Sequence, residues 1–149
     1  IAFQFNAVVK YRKNKFHSLY VQKGSLLKDQ LKLLDTIYQT KNHKKFSFSS
    51  LTIPYQYNTT WSYLFDWYTQ KNKLVKPLYL GPNQIGMPGD NLLEATDKVH
   101  SDHFTIIEHN TDRLSVYDQF IKKQNSISQL EQEVNFGTLT LQIRQPLND

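Results

Sequence analysis

The sequence predicts an α/β fold: a single-domain sandwich with a mixed β-sheet, about three helices and a C-terminal β-hairpin. Three observations predict it. Apolar residues recur with helical period in three separate stretches. Short runs of β-favouring residues lie between those stretches. The end of the chain reads as two strands meeting at Asn135-Phe-Gly137. Strands alternating with helices and closing in a hairpin call for helices packed on a mixed sheet.

Residues 1–23 read as a membrane-proximal basic lead-in, either helical or irregular, with Leu19-Tyr-Val21 as a short strand, and residues 24–149 as a single α/β domain. Gly24-Ser25 opens the first helix, with Ser25 as its N-cap. Leu27, Leu31, Leu34 and Tyr38 define its buried stripe, widened by Leu26, Leu33 and Ile37, and it stops near Thr40. Residues 46–53 read as a strand that Pro54 ends. Asn58, Thr59 or Thr60 caps a second helix running to about Lys71, with Trp61, Leu64, Phe65 and Tyr68 as its core stripe. Residues 77–80 suggest a short strand, residues 81–91 a Gly/Pro loop, and residues 92–98 a short helical turn. His103–Glu108 is expected as an interior strand. Asp112 should cap a third helix that turns Leu114, Tyr117, Phe120 and Ile121 inward. In the hairpin, alternation of Leu139, Leu141 and Ile143 predicts one buried face.

A chain of 149 residues with 39% apolar and 13% aromatic content can bury a real core. It has no cysteine, which excludes disulfides and thiolate metal sites. No apolar run reaches the roughly 18–20 residues that a bilayer span requires. A start at Ile1 suggests an excised fragment or a processed product, and the fragment is the favoured expectation. The charge is asymmetric: residues 1–45 carry ten Lys/Arg against two Asp, and residues 46–149 carry eight against eleven Asp/Glu. A nucleic-acid surface would interleave cations with exposed aromatics, and here the aromatic block is nearly uncharged, so no nucleic-acid partner is expected. A basic segment after an apolar start suits a position near anionic headgroups, and it equally suits a solvated lysine-rich surface.

Seven of the fourteen residues from Tyr55 to Tyr68 are aromatic, and both tryptophans lie among them. Once the core stripe is assigned, Tyr55, Tyr57 and Trp67 remain as rings able to stack on the C–H face of a sugar. Asn58, Gln56 and Asp66 are at hand for hydroxyls. Tyr55, Tyr57, Asn58, Asp66 and Trp67 are therefore the candidate ligand-binding residues. The bland reading is that these rings pack on the Gly/Pro loop or against a membrane part. His100-Ser-Asp-His103 invites a metal, with Glu108 and His109 nearby, yet it fits no common zinc spacing. Polar residues at a strand entry are the simpler reading, and no metal, cofactor or catalytic residue is assigned. No serine sits in a Gly-x-Ser-x-Gly elbow, and Gly86-Met-Pro-Gly89 is neither a phosphate loop nor a dinucleotide fingerprint.

Three segments carry a family resemblance. They are Leu27-Lys-Asp-Gln-Leu-Lys-Leu-Leu-Asp-Thr-Ile-Tyr38, Tyr55-Gln-Tyr-Asn-Thr-Thr-Trp-Ser-Tyr-Leu-Phe-Asp-Trp-Tyr68 with its Tyr-Leu-Phe-x-Trp-Tyr core, and the closing Phe136-Gly-Thr-Leu-Thr-Leu-Gln-Ile-Arg144. Together the chain resembles the extracytoplasmic C-terminal domain of bacterial polytopic glycosyltransferases of the dolichyl-phosphate-mannose protein mannosyltransferase type. The resemblance implies a non-catalytic accessory domain on the extracytoplasmic side of a bacterial membrane. It would help position an acceptor or a lipid-linked sugar donor, with the membrane-embedded portion of the same polypeptide as partner. The basic cluster at Lys10, Arg12, Lys13 and Lys15 departs from this picture, because cations beside a membrane span favour the cytoplasmic side. The alternative is a free-standing carbohydrate- or protein-binding module using the Tyr55–Tyr68 block.

Overall fold

The computed structural model describes residues 26–40, 45–52, 57–109 and 114–147. They form an α/β domain in which three helices pack on one six-stranded mixed sheet. In chain order the elements are α1 (Leu27–Thr40), β1 (Ser47–Leu51), α2 (Thr59–Asn72), β2 (Leu78–Tyr79), β3 (Glu94–Ala95) and β4 (His103–Glu108). Then come α3 (Leu114–Ile127), β5 (Ser128–Phe136) and β6 (Leu139–Pro146). The strand order is β3-β2-β1-β4-β6-β5. β1 pairs in parallel with both β2 and β4, β2 in parallel with β3, and β6 is antiparallel to β4 and β5. The lead-in, Ser25, Pro54, Tyr55, Gln56 and Asp112 lie outside the described residues.

One face of the sheet carries the hydrophobic core. Phe46 and Phe48, Phe104 and Ile106, and Leu139, Leu141 and Ile143 meet Leu33, Leu34 and Ile37 of α1 and Trp61 and Phe65 of α2. The period-2 geometry of strands and the 3.6-residue period of helices bring these sets together. Aromatic pairs dominate the interior: Phe48 lies 4.6 Å from Phe65, Phe46 5.3 Å from Phe104, and Tyr38 stacks 5.4 Å from Tyr68. Such pairs add roughly 0.5–1.5 kcal/mol each beyond their area burial. Trp61 and Phe65 are fully buried and Leu64 and Tyr68 pack against the core, so the predicted α2 stripe is the observed one. In α1 the stripe centres on Leu33, Leu34 and Ile37, while Leu26 and Leu27 are exposed.

The opposite face is polar and still buried. Ser47, His103 and Arg144 stand side by side across β1, β4 and β6, and Ser49, Thr105 and Gln142 form the next row. α3 covers them, and its one buried residue is Gln124. This corrects two expectations. Leu114 is 67% exposed, because the sheet face beneath α3 offers hydrogen-bonding groups where an apolar stripe would need hydrocarbon. Also, β6 is buried on both faces from Leu139 to Arg144, because it lies inside the sheet between β4 and β5. A third correction concerns residues 92–98, where Glu94–Ala95 extends the sheet beyond β2 in place of a helical turn. The two-residue β2 leaves its outer edge open, and pairing with β3 satisfies that edge.

Candidate functional site

α2 begins at the carboxyl end of β1 and the Gly/Pro loop leaves the carboxyl end of β2. Between them lies a cavity of about 390 Å³ lined by Asn58 and Ser62 from α2, Tyr79 and Ala95 from β2 and β3, and Gly81–Ile85, Gly89, Asp90 and Leu93 from the loop. Open parallel sheets place ligands at this edge, outside the carboxyl ends of the strands. The reversal of strand order falls between β1 and β4, and there Trp61 docks on the core face. Its Nε1–H donates to the buried Glu108 Oε1 at 3.2 Å.

The loop is fixed by its own polar groups. Gln84 is buried, its Oε1 accepts from the Asn58 backbone N–H at 3.1 Å, and its Nε2 donates to the Pro82 carbonyl at 2.9 Å. In a capping box a Gln one turn into the helix satisfies the N-cap N–H, and here a Gln from a distant loop does so. Asn83 Oδ1 accepts from the Ile85 N–H and Asp90 Oδ2 from the Gly86 N–H, each at 2.8 Å. Gly89 adopts φ +82°, and a Cβ there would stand 3.2 Å from both Leu92 Cδ1 and Tyr63 Cε2. The left-handed backbone favours glycine at that position, and a Cβ would also press on these two side chains.

Asn58 is only 4% exposed, and its side chain makes no capping hydrogen bond. Ser62 follows one turn later, buried on the same side of α2 and lining the same cavity. Among the described residues no Lys or Arg lines the cavity, and Asp90 is the one charged residue in its lining.

The structure separates the five residues that the sequence suggested. Tyr55 lies outside the described residues. Tyr57 is 43% exposed beside the start of α2, and its carbonyl accepts from Thr52 Oγ1. Asn58 is in the cleft. Asp66 is ion-paired with Lys76 and accepts from Gln70 Nε2 at 2.7 Å, and the Lys76 hydrogen bond holds its carboxyl below the usual range. Trp67 is 47% exposed, with Lys71 Nζ 4.9 Å above its ring. At about 100° per residue, Trp67 sits about 140° around α2 from Ser62. Asn58 and Trp67 are therefore not brought together, and Asp66 is already engaged. Ser62, Asn83 and Asp90 line the site without having been suggested, since their proximity arises only when the loop folds back onto α2.

His103 lies on the far face of the sheet from Ser62. It is fully buried, with Nδ1 2.8 Å from Ser47 Oγ and Nε2 3.0 Å from Gln124 Oε1. With Gln124 Oε1 as acceptor, Nε2 carries the proton and Nδ1 accepts from Ser47. Burial, reinforced by the Arg144 charge, pushes its pKa down to about 4, so the ring is neutral at physiological pH. The Ser47 hydroxyl also accepts from the His100 N–H at 3.1 Å, so the His100/His103 segment is tied into the strand entry. Among the described residues no three His, Asp or Glu side chains gather where they could hold a metal ion. No helix among them is long and apolar enough to cross a membrane. No protein-family model, curated protein or solved structure matches the chain.

Proposed function

We propose that this chain is an extracytoplasmic, non-catalytic accessory domain of a bacterial membrane-bound glycosyltransferase-like protein, helping to position the acceptor or the lipid-linked sugar donor. One observation carries the reading beyond the resemblance of its three segments: a cleft held open at the carboxyl edge of the sheet. Amide, hydroxyl and carboxylate groups face an apolar wall there. That lining suits recognition of a polar ligand. The cleft holds Ser62 and Asp90, while His103, the buried imidazole, is committed to Ser47 and Gln124 beneath α3. A Ser–His pairing of the acyl-transfer kind needs those groups within hydrogen-bond reach.

The second reading, a free-standing carbohydrate- or protein-binding module, draws on a different feature. Tyr57, Tyr63 and Trp67 all expose large rings, which suits a protein or glycan contact. The two readings separate in the parent protein. On the accessory reading, replacing this domain with a flexible linker leaves the membrane part inserted and lowers sugar transfer at least tenfold, while the isolated domain turns over no lipid-linked donor. Unchanged transfer by the deleted protein, or turnover by the domain alone, would contradict it.

A further inference from the structure

We infer that the carboxyl-edge cleft is a binding site for a neutral sugar ring held by Asn58, Ser62 and Asp90, and that Trp67 lies outside this site. The inference deepens the accessory reading, resting on it only for the presence of a glycan nearby. The assignment of residues stands on the cleft itself.

Asn58 carries the argument. Asn58 as a residue is 4% exposed, makes no side-chain capping bond and lines the cavity, so its carboxamide is available to whatever enters. A ligand that displaces water from the cleft without pairing with this group would cost roughly 1–3 kcal/mol, and one that pairs with it avoids that cost. A carboxamide offers one acceptor and two donors, and Ser62 adds a hydroxyl that does both. Hydroxyl groups match this mixed character better than purely accepting or purely donating ligands. Asp90 uses Oδ2 for the Gly86 N–H, and its carboxylate retains acceptor capacity for ligand hydroxyls. Leu93 and Ala95 provide an apolar wall for a ring's C–H face.

The same groups argue against other chemistries. A phosphate or carboxylate would gain from the start of α2, where the helix dipole amounts to about half a positive charge. It would face the Asp90 carboxylate with no Lys or Arg among the described lining residues, and the Asn58 N–H is already taken by Gln84. A wholly apolar ligand would leave the Asn58 carboxamide desolvated and unpaired, at roughly 1–3 kcal/mol. A neutral polyol meets neither penalty. Gln84, Asn83 and Asp90 hold the loop before any ligand arrives, which lowers the ordering cost of binding.

The test is ligand-observed NMR and calorimetry on the whole chain with methyl α-mannoside, methyl β-glucoside, methyl β-galactoside, N-acetylglucosamine and inorganic phosphate as probes. At least one sugar should bind and phosphate should not. Ser62→Val, which removes the hydroxyl and fills part of the cleft, should weaken that sugar at least tenfold, with folding checked by urea midpoint. Asp90→Asn keeps an acceptor for the Gly86 N–H and should weaken the sugar without creating phosphate binding. Trp67→Ala should leave affinity unchanged. Sugar binding that survives Ser62→Val and Asp90→Asn but disappears in Trp67→Ala would overturn the site while leaving a glycan-positioning role intact. Phosphate binding without sugar binding would overturn the ligand chemistry, as would silence from every probe. The accessory reading is decided separately, by the domain deletion.

Discussion

Arg144 is 1% exposed, and among the described residues no carboxylate stands within ion-pair distance of it. Its charge is met by dipoles instead. Nε donates to Ser128 Oγ at 2.9 Å, Nη1 to Gln142 Oε1 at 2.6 Å, and Nη2 to the Ser128 carbonyl at 3.1 Å and to Asn125 Oδ1. A fixed planar fork suits this arrangement better than a lysine ammonium would. Burial keeps the neighbouring His103 neutral, and the guanidinium adds to this because a second cation would be buried beside it. The unfolded chain protonates His103 near its ordinary value of 6.5, and the folded chain only near 4. Its folded value is depressed, so the unfolded state binds more protons between these limits. The stability contributed by neutral His103 is therefore complete above about pH 6.5 and is lost as pH falls towards 4. Two and a half units correspond to roughly 3 kcal/mol. Urea unfolding at pH 7.5 and pH 4.5 should show a loss of that order in the wild type and a much smaller loss in His103→Gln. Equal losses in both would refute the assignment of His103 as a neutral buried ring.

At the scale of elements, α2 and α3 were both legible as helices, but only the buried face of α2 was, for a physical reason. Trp61, Leu64, Phe65 and Tyr68 follow the helical period and meet an aromatic sheet face, so a local pattern and a tertiary surface agree. α3 meets a different surface, because the face beneath it is built from Ser47, Ser49, His103, Thr105 and Gln142. What anchors it is Gln124, whose Oε1 meets His103 and Thr105, and a hydrogen-bonding requirement leaves no hydrophobic period to read. Gln142 and Arg144 of the closing strand supply hydrogen bonds to that layer. β3 escaped notice because two residues carry no alternation. The same level governs the loop. Gln84 links residues 82–83 to the first residue of α2's cap, so Gln84→Ala should free both ends of that link. Hydrogen exchange should speed about tenfold at Asn58 and across residues 84–92, with the β4 and β6 amides unchanged. Uniform acceleration across the sheet would instead mean that Gln84 supports the whole fold.

For the whole molecule, the sheet order explains where a site can be. Parallel β1, β2, β3 and β4 give the domain one edge where strand ends, a helix start and a long loop converge, and the antiparallel β5–β6 pair closes the other side. Asn58 was visible in the sequence as a cap and candidate ligand residue. Its partners Ser62, Asn83 and Asp90 were not, because they are joined by the crossover from β1 through α2 to β2 and by the return of the Gly/Pro loop. The aromatic density of the Tyr55–Tyr68 block divides in the described residues between core rings and exposed ones, so its sugar-platform appearance in the sequence mixed two roles. The most direct measurement of the central claim is amide chemical-shift mapping of the labelled chain during titration with the best-binding methyl glycoside. The account predicts shifts concentrated at residues 58–62, 81–90 and 93–95, with Trp67 Nε1 unmoved. Shifts centred on Trp67 and Lys71, with the cleft amides silent, would contradict it.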